Sequence, residues 1–237
     1  MERVSNRSLR TALATLLAAL AVGGLLLAQR SGDYRDPATA YEDGWTPLFN
    51  GKDLTGWITV LSAGEGKVRR YQPSEAGQQS TFFVEGGLLK TTGTPNGYVR
   101  TEDVYDNFVF HVEVRFTQAG NSGVLIYVQR DAVWPKAVEC QLYQSHMGRI
   151  FPIQGATLDG GEMIHAAARP PGEWNTYEVY SEEGRVATVL NGVLVGLGAN
   201  ADPRVGYICL QSEGVPAEFR NIKIKRYTPS HHLRPRS

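Results

Sequence analysis

Apolar and polar residues alternate along most of the chain, and this pattern predicts β-strands separated by Gly, Asn and Pro. The clearest strand is Phe108 to Phe116 (FVFHVEVRF), where Phe and Val residues alternate with Val109, His111, Glu113 and Arg115. Successive side chains of a strand point to opposite faces. One face of this strand is therefore predicted to be core, and the other largely polar.

The dipeptide Asn191-Gly192 favours the type I′ turn that joins two antiparallel strands. It separates Arg185–Leu190 from Val193–Leu197, which are predicted to form a hairpin. Leu158–Pro171 is interpreted as a longer loop. Further strands are predicted at Trp57–Leu61, Thr81–Val84, Leu88–Thr91, Gly123–Gln129, Ala137–Tyr143, Trp174–Ser181, Val205–Gln211 and Glu218–Tyr227.

Many short strands, without a helix of convincing length, indicate an all-β fold. We predict a two-sheet antiparallel β-sandwich of the jelly-roll type. The period-2 pattern predicts that its core includes Phe110, Val112, Val114, Val138, Cys140 and Leu142.

Residues 1–28 have the pattern of a targeting segment, because Arg3, Arg7 and Arg10 precede an uncharged apolar run from Thr11 to Ala28. The length of this run lies between a signal-peptide core and a minimal membrane-spanning helix, so cleavage and anchoring through residues 11–28 both stay open. The basic flank of such a segment stays inside the cell. The remainder is therefore expected to be exported: periplasmic, extracellular or anchored at the outer face of the membrane.

The rest of the chain divides by composition into a polar linker at 29–43, one domain at 44–227 and a flexible tail at 228–237. Without residues 1–28 the chain has 21 basic residues (24 less three Arg) and 23 acidic residues (24 less one Glu). This near-neutral balance does not favour a nucleic-acid partner. Cys140 and Cys209 are expected to be two small buried residues, with a disulfide as the less favoured alternative.

Six stretches occur in a characteristic order along the domain: GWTPLFNGKDLTGW (44–57), GNSGV (120–124), VECQL (138–142), PPGEWN (170–175), LNG (190–192), and LQSEG (210–214) with EFRNIKI (218–224). Together they resemble the 3-keto-disaccharide hydrolase domain family, and the match spans Gly44 to Tyr227. The resemblance implies a concanavalin A-like sandwich with a concave face of sugar size. It also implies cleavage of glycosides that are already oxidised to a ketone at sugar carbon 3.

A ketone at carbon 3 acidifies the proton on carbon 2, so a base can remove that proton and the enolate can expel the group on carbon 1. Such a site needs a base, a donor or cation near the enolate, and an acid near the leaving oxygen. A conventional endoglycosidase would instead use two carboxylates on an unoxidised sugar. That alternative is weaker, because the E-x-D-x-x-E trio of laminarinase-like enzymes is missing at Glu113–Phe116.

Glu139 is the preferred candidate for the base, since the matching family stretch is acidic there and Gln141 shares its strand face. Gln211 lies opposite in phase to its apolar neighbours on a third strand. His111 and Glu113 are further catalytic candidates, and Arg115 a candidate for holding the substrate ketone. For these three the alternative is a solvated outer face stabilised by cross-strand ion pairs.

Other side chains are candidates for binding the sugar. Glu213 stands where many relatives carry His, so it replaces that residue or marks lost activity. Asn121 could bind a hydroxyl, although its Gly-rich surroundings favour a turn. Trp134, in a loop, is the preferred stacking platform. His146 and His165 are loop residues that could shuttle a proton or bind a metal.

These observations favour an exported enzyme that cleaves 3-keto-glycosides, with a carbohydrate as its substrate. The alternative is a non-catalytic, lectin-like glycan-binding module of the cell envelope. No cofactor is assigned. A divalent metal held by Glu113, Glu139 and a His is an option, although no spacing resembles a zinc motif. The oligomeric state does not follow from the sequence.

Overall fold

Short strands make up most of the computed structural model, which describes residues 44–163 and 167–227. One 3-10 helix, Pro73–Gln78, accompanies sixteen strands in this part of the chain. The strands are β1 (Thr46–Pro47), β2 (Trp57–Ser62), β3 (Val68–Tyr71), β4 (Phe82–Glu85), β5 (Leu88–Thr91), β6 (Gly97–Thr101), β7 (Phe108–Phe116), β8 (Gly123–Val128), β9 (Ala137–Gln141), β10 (Ile150–Ile153), β11 (Thr157–Met163), β12 (Asn175–Glu182), β13 (Arg185–Leu190), β14 (Val193–Asp202), β15 (Tyr207–Ser212) and β16 (Ala217–Arg226).

The strands form two sheets, and every strand pair is antiparallel. Sheet A has the order β11-β14-β13-β12-β7-β16-β5-β4, and β1 also pairs with β16. Sheet B has the order β10-β9-β8-β15-β6-β2-β3. The two-sheet antiparallel sandwich predicted from the alternation is confirmed.

The main core lies between the inner faces of the two sheets. Its largest contributions from sheet A come from β7, and from sheet B they come from β8, β9 and β15. The six predicted core residues all belong to it and are fully buried. A smaller apolar cluster lies on the opposite, outer face of sheet B and includes Val60, Tyr98, Leu125 and Cys209. Sheet B is therefore buried on both faces over part of its area.

The predicted hairpin is present, with β13 and β14 joined at Asn191-Gly192. Both residues have positive φ, 50° and 80°, as a type I′ turn requires. The expectation of a loop over Leu158–Pro171 is wrong in its first part, because β11 pairs with β14 at the edge of sheet A. Its consecutive glycines, Gly160-Gly161, conceal the strand pattern, and the pairing contains register shifts.

The two cysteines are free and buried. Cys140 faces the main core, whereas Cys209 belongs to the cluster on the outer face of sheet B. Burial raises the pKa of both thiols above its ordinary value. They serve as small packing residues, as expected for cysteines in the middle of strands.

Three predicted segments lie outside the described residues: the targeting segment at 1–28, the linker at 29–43 and the tail at 228–237. Within the residues that are described, none of the helices has the length and apolar character needed to cross a membrane.

Candidate functional site

Polar side chains from three neighbouring strands converge on the outer face of sheet B. Strand pairing places Glu139 of β9 opposite Leu125 of β8, and Gln141 opposite Gly123. Gln211 of β15 lies on the other side of β8, since Leu210 pairs with Val124. Alternation along the strands puts Glu139, Gln141 and Gln211 on one face, away from the main core.

Gly123 provides the space in which two of these side chains meet. A β-carbon at this position would lie 2.0 Å from Gln211 Oε1 and 3.0 Å from Glu139 Oε1. Both oxygens therefore occupy the space above a backbone position that has no side chain. Any larger residue would displace the Gln211 amide.

Asn121 and Glu213 continue the same face beyond the ends of β8 and β15. The prediction of a turn at Asn121 is wrong, because Asn121 forms an antiparallel bridge with Glu213. The Asn121 side chain also acts to lower the pKa of the Glu213 carboxyl. The isolated bridge escapes sequence analysis because it joins residues far apart in the chain. We call Glu139, Gln211, Glu213 and Asn121 the Glu139 site.

The Glu139 site contains buried acceptors without partners. In the described part of the chain, four buried side-chain oxygens lack a hydrogen bond, and three belong to Asn121 (Oδ1), Gln211 (Oε1) and Glu213 (Oε2). Glu139 and Gln211 are only 5% and 2% exposed. Buried polar atoms in folded proteins are nearly always hydrogen-bonded. Acceptors of this kind, gathered in one place, can accept hydrogen bonds from hydroxyl groups.

The electrostatic environment favours protonation of the two carboxyls. Burial, followed by the nearby charge of Glu213, raises the pKa of Glu139 to about 8. Burial also raises the pKa of Glu213, although the Asn121 side chain opposes this. Neither carboxylate forms an ion pair within the described residues. Two carboxyls of raised pKa in one site favour the protonated form more than free carboxyls do, which suits acid and base chemistry.

A cavity of about 270 Å³ opens beside the Glu139 site. We call it the Arg149 pocket, and its lining residues are Gln141, Tyr143, His146, Arg149 and Phe151. It adjoins the Glu139 site because Phe151 of β10 is the cross-strand partner of Glu139. Gln141 accepts hydrogen bonds from the backbone N–H groups of Leu142 (3.0 Å) and Tyr143 (3.1 Å), which fix its side-chain orientation.

The loop at 129–136 folds over the far side of the same face. Asp131 accepts a hydrogen bond from Arg100 Nε (2.8 Å) and also pairs with Arg70. The Tyr98 hydroxyl donates to the Ala132 carbonyl (3.2 Å). This loop carries Trp134, which is 41% exposed. The structure therefore keeps Trp134 available for stacking, on a loop fixed by an ion pair.

His111, Glu113 and Arg115 lie elsewhere, on the outer face of sheet A. The expectation that they share a cleft with Glu139 is wrong, because the main core separates the two outer faces. Arg115 therefore cannot hold a ketone that Glu139 deprotonates. The alternation of β7 fixed the face of these residues correctly, but not which sheet forms the site.

Each of these side chains has partners on neighbouring strands of sheet A. Glu113 accepts hydrogen bonds from Arg220 Nε (2.7 Å) and Asn221 Nδ2 (3.1 Å). Arg115 Nε donates to Glu218 (2.7 Å). His111 Nδ1 lies 3.2 Å from a Glu178 oxygen. The alternative of an outer face held by cross-strand pairs describes this region.

The residues for the suggested metal site, Glu113 with Glu139, are separated in the same way. In the described ranges, no group of three or more His, Cys, Asp or Glu side chains is close enough to hold a metal ion. His165, the other loop histidine considered, lies outside the described residues.

Residues 44–225 match the model of the 3-keto-alpha-glucoside-1,2-lyase-like domain. This match covers most of the chain. The protein belongs to the 3-keto-alpha-glucoside-1,2-lyase-like domain family. The resemblance drawn from the six ordered stretches is confirmed. No curated protein matches the chain.

Solved structures support the jelly-roll fold of this family member. A protein from Parabacteroides distasonis with a provisional glycosyl hydrolase assignment superposes with a TM-score of 0.61 at 24% identity, covering 83% of this chain and 99% of that one. The carbohydrate-binding module CBM66 from Bacillus subtilis superposes with a TM-score of 0.52 at 12% identity, covering 72% of this chain and 95% of that one. An alginate lyase from Corynebacterium sp. superposes with a TM-score of 0.51 at 13% identity, covering 78% of this chain and 99% of that one.

Sequence analysis missed Gly123, Arg149 and Phe151. The signal for Phe151 was its place in IFPI, a short strand concealed by Pro152, which is tolerated because β10 is an edge strand. Recognition of β10 would have placed Phe151 beside Glu139. Gly123 gave no signal, because its role depends on side chains from two other strands.

Proposed function

We propose that this family member is an exported enzyme that cleaves glycosides carrying a ketone at sugar carbon 3. The observation that carries the proposal is the Glu139 site: two buried carboxyls of raised pKa beside unsatisfied amide oxygens, next to a strand that lines the Arg149 pocket. A lectin site built from loop aromatics and amides does not need such carboxyls. Their proximity supports proton transfer.

In this proposal the ionised form of Glu139, whose fraction grows as the pH rises towards about 8, removes the proton from carbon 2 of the bound keto-sugar. The electron pair forms an enolate with the carbon 3 oxygen, and the enolate then breaks the bond between carbon 1 and the leaving oxygen. Glu213 donates its proton to that oxygen. Water then adds to carbon 1 of the enone as Glu213 takes a proton from it, and Glu139 returns its proton to carbon 2. General acid and base steps of this kind each contribute roughly 10²- to 10⁴-fold to a rate.

Other residues bind and orient the substrate. The unsatisfied oxygens of Gln211 and Asn121 accept hydrogen bonds from sugar hydroxyls. The Gln141 amide nitrogen donates to the ketone side, since its own oxygen is held by backbone N–H groups. Trp134 provides an exposed ring for stacking on a sugar face. Glu213 then takes the place of the His that many relatives carry.

Incubation of the purified chain with 3-keto-trehalose, 3-keto-lactose and their unoxidised parents tests the proposal. Each substrate is assayed with and without added divalent metal, and in deuterium oxide. We expect cleavage of keto-sugars only, with solvent deuterium entering carbon 2 of unreacted substrate. Cleavage of the unoxidised parents would indicate a conventional glycosidase. Glycan binding without any cleavage would support the lectin-like alternative.

A further inference from the structure

The Arg149 pocket is positioned to receive the part of a glycoside that lies beyond the bond being cleaved. Phe151 and Gln141 form the border between the pocket and Glu139, so a ligand whose reacting sugar fills the Glu139 site extends directly into it. Its volume of about 270 Å³ lies just below the roughly 300–1,000 Å³ typical of drug-sized ligands. The pocket therefore fits one ring-sized group.

The charge of the pocket is opposite to that of the Glu139 site. Arg149 is exposed, and among the described residues no carboxylate pairs with it. Its guanidinium lies 5.7 Å from the centroid of the Phe151 ring. None of the lining residues is acidic. An anionic group would thus be attracted to the pocket and repelled from the two carboxyls next to it.

Aromatic rings form the remaining wall of the pocket. Tyr143 and His146 stack in parallel, with centroids 5.8 Å apart and an interplanar angle of 8°. Tyr143 is 44% exposed. Flat aromatic surfaces of this kind pack against ring-shaped ligands. The wall therefore packs against a ring, while Arg149 can pair with an anionic group on that ring.

We propose that the Arg149 pocket binds the leaving group of the substrate and selects a sugar ring that carries a carboxylate or a phosphate. A guanidinium binds both anions through paired N–H groups. The assignment of the ring as a leaving group rests on the proposed function of the Glu139 site. The preference for an anionic ring rests on the pocket alone.

Titration of the full chain with glucuronate, glucose 6-phosphate and glucose, followed by calorimetry or NMR shifts, tests the preference without requiring catalysis. We expect at least one anionic sugar to bind about 5- to 10-fold more tightly than glucose, since a charge-assisted contact at an exposed site is worth a modest factor. The anionic sugar that binds more tightly than glucose identifies carboxylate or phosphate as the natural group. Added salt should reduce the preference.

Variants assign the preference to particular side chains. Arg149→Gln should reduce the affinity for the anionic sugars to that for glucose. The control Arg185→Gln removes an exposed positive charge from β13 of sheet A and should change nothing. Tyr143→Ala should weaken the binding of all three sugars alike and preserve the ratios between their affinities. If a variant unfolds, the salt dependence of the intact chain still tests the role of charge.

Equal binding of the three sugars, or a preference that survives Arg149→Gln, would overturn the proposal. Cleavage of keto-disaccharides without any preference for an anionic leaving group would overturn it and leave the proposed function intact. Anion binding without cleavage would have the reverse meaning: the pocket selects anionic rings, and the proposed enzyme activity is wrong.

Discussion

The two outer faces of the sandwich carry carboxylates in the same alternating pattern but shift their pKa in opposite directions. On sheet A, partial burial acts to raise the pKa of Glu113, yet hydrogen bonds from Arg220 and Asn221 outweigh it and lower the pKa. On sheet B, burial raises the pKa of Glu139 to about 8, and no cation opposes it. The difference lies in the partners, not in the carboxylates.

This contrast shows how a strand face that stabilises the fold differs from one available for chemistry. Sheet A pairs its charges across strands. The guanidinium carbons of Arg115 and Arg220 lie 4.6 Å and 4.1 Å from the centroid of the Trp174 ring. Among the described residues, none of the buried side-chain oxygens without a partner belongs to this face. Sheet B leaves acceptors of Gln211 and Glu213 unsatisfied at a cost to stability, as expected of a binding surface.

The largest effect should come from matched changes on the two faces. Glu139→Gln keeps the shape of the side chain but cannot accept a proton, so turnover on a 3-keto-glycoside should fall roughly 10²- to 10⁴-fold. Glu113→Gln on sheet A should leave turnover unchanged. Initial rates and deuterium exchange at carbon 2 measure both. Full activity of Glu139→Gln would show that the base lies elsewhere.

A smaller loss should follow from filling the space above Gly123. In Gly123→Ala the new methyl group would displace Gln211 Oε1, which lies 2.0 Å from the position of the β-carbon. Displacement of a positioning group by about 1 Å can cost roughly 100-fold in rate. Gly77→Ala, where a β-carbon meets open space, is the control. Equal rates for the two variants would remove Gly123 and Gln211 from the site.

The two faces should also affect stability at different pH. Because the folded pKa of Glu139 is raised from 4.5 to about 8, its protonated form stabilises the fold at low pH, and this contribution is lost as pH rises between those values. Between pH 5 and about 8 the free energy of unfolding of the wild type should therefore fall relative to that of Glu139→Gln, by on the order of a few kcal/mol. Thermal melts should show a matching fall in the melting temperature of the wild type.

The lowered pKa of Glu113 acts with the opposite sign. Its contribution is present above its ordinary value of 4.5 and is lost as the pH falls through the lower folded value. Wild type and Glu113→Gln should therefore converge in melting temperature on acidification, as followed by thermal melts. If the melting temperatures of Glu139→Gln and Glu113→Gln changed with pH in parallel with each other, the contrast between the faces would be contradicted.

The smallest effect concerns the thiols. Cys140 and Cys209 face opposite sides of sheet B and are free, so reducing agent should leave the melting temperature almost unchanged. Thermal melts with and without reductant measure this. A drop of many degrees would reveal a disulfide, which typically contributes about 2 to 4 kcal/mol.

The sequence by itself determined the architecture and the face to which each strand residue points. Alternation has a period of two, so the pattern around Phe110 and Cys140 separates the core side from the outer side of a strand without knowledge of its neighbours. The turn at Asn191-Gly192 was equally local, because it depends on the backbone preferences of two residues.

Only the tertiary structure decided which outer face forms the site. His111 and Glu139 have the same sequence pattern, but strand order places the first among cross-strand partners and the second beside Glu213 without a cation. The space above Gly123 and the approach of Phe151 to Glu139 likewise arise from pairing between strands distant in sequence. The pKa of a carboxyl depends on burial and neighbouring charges, and the fold alone brings these together.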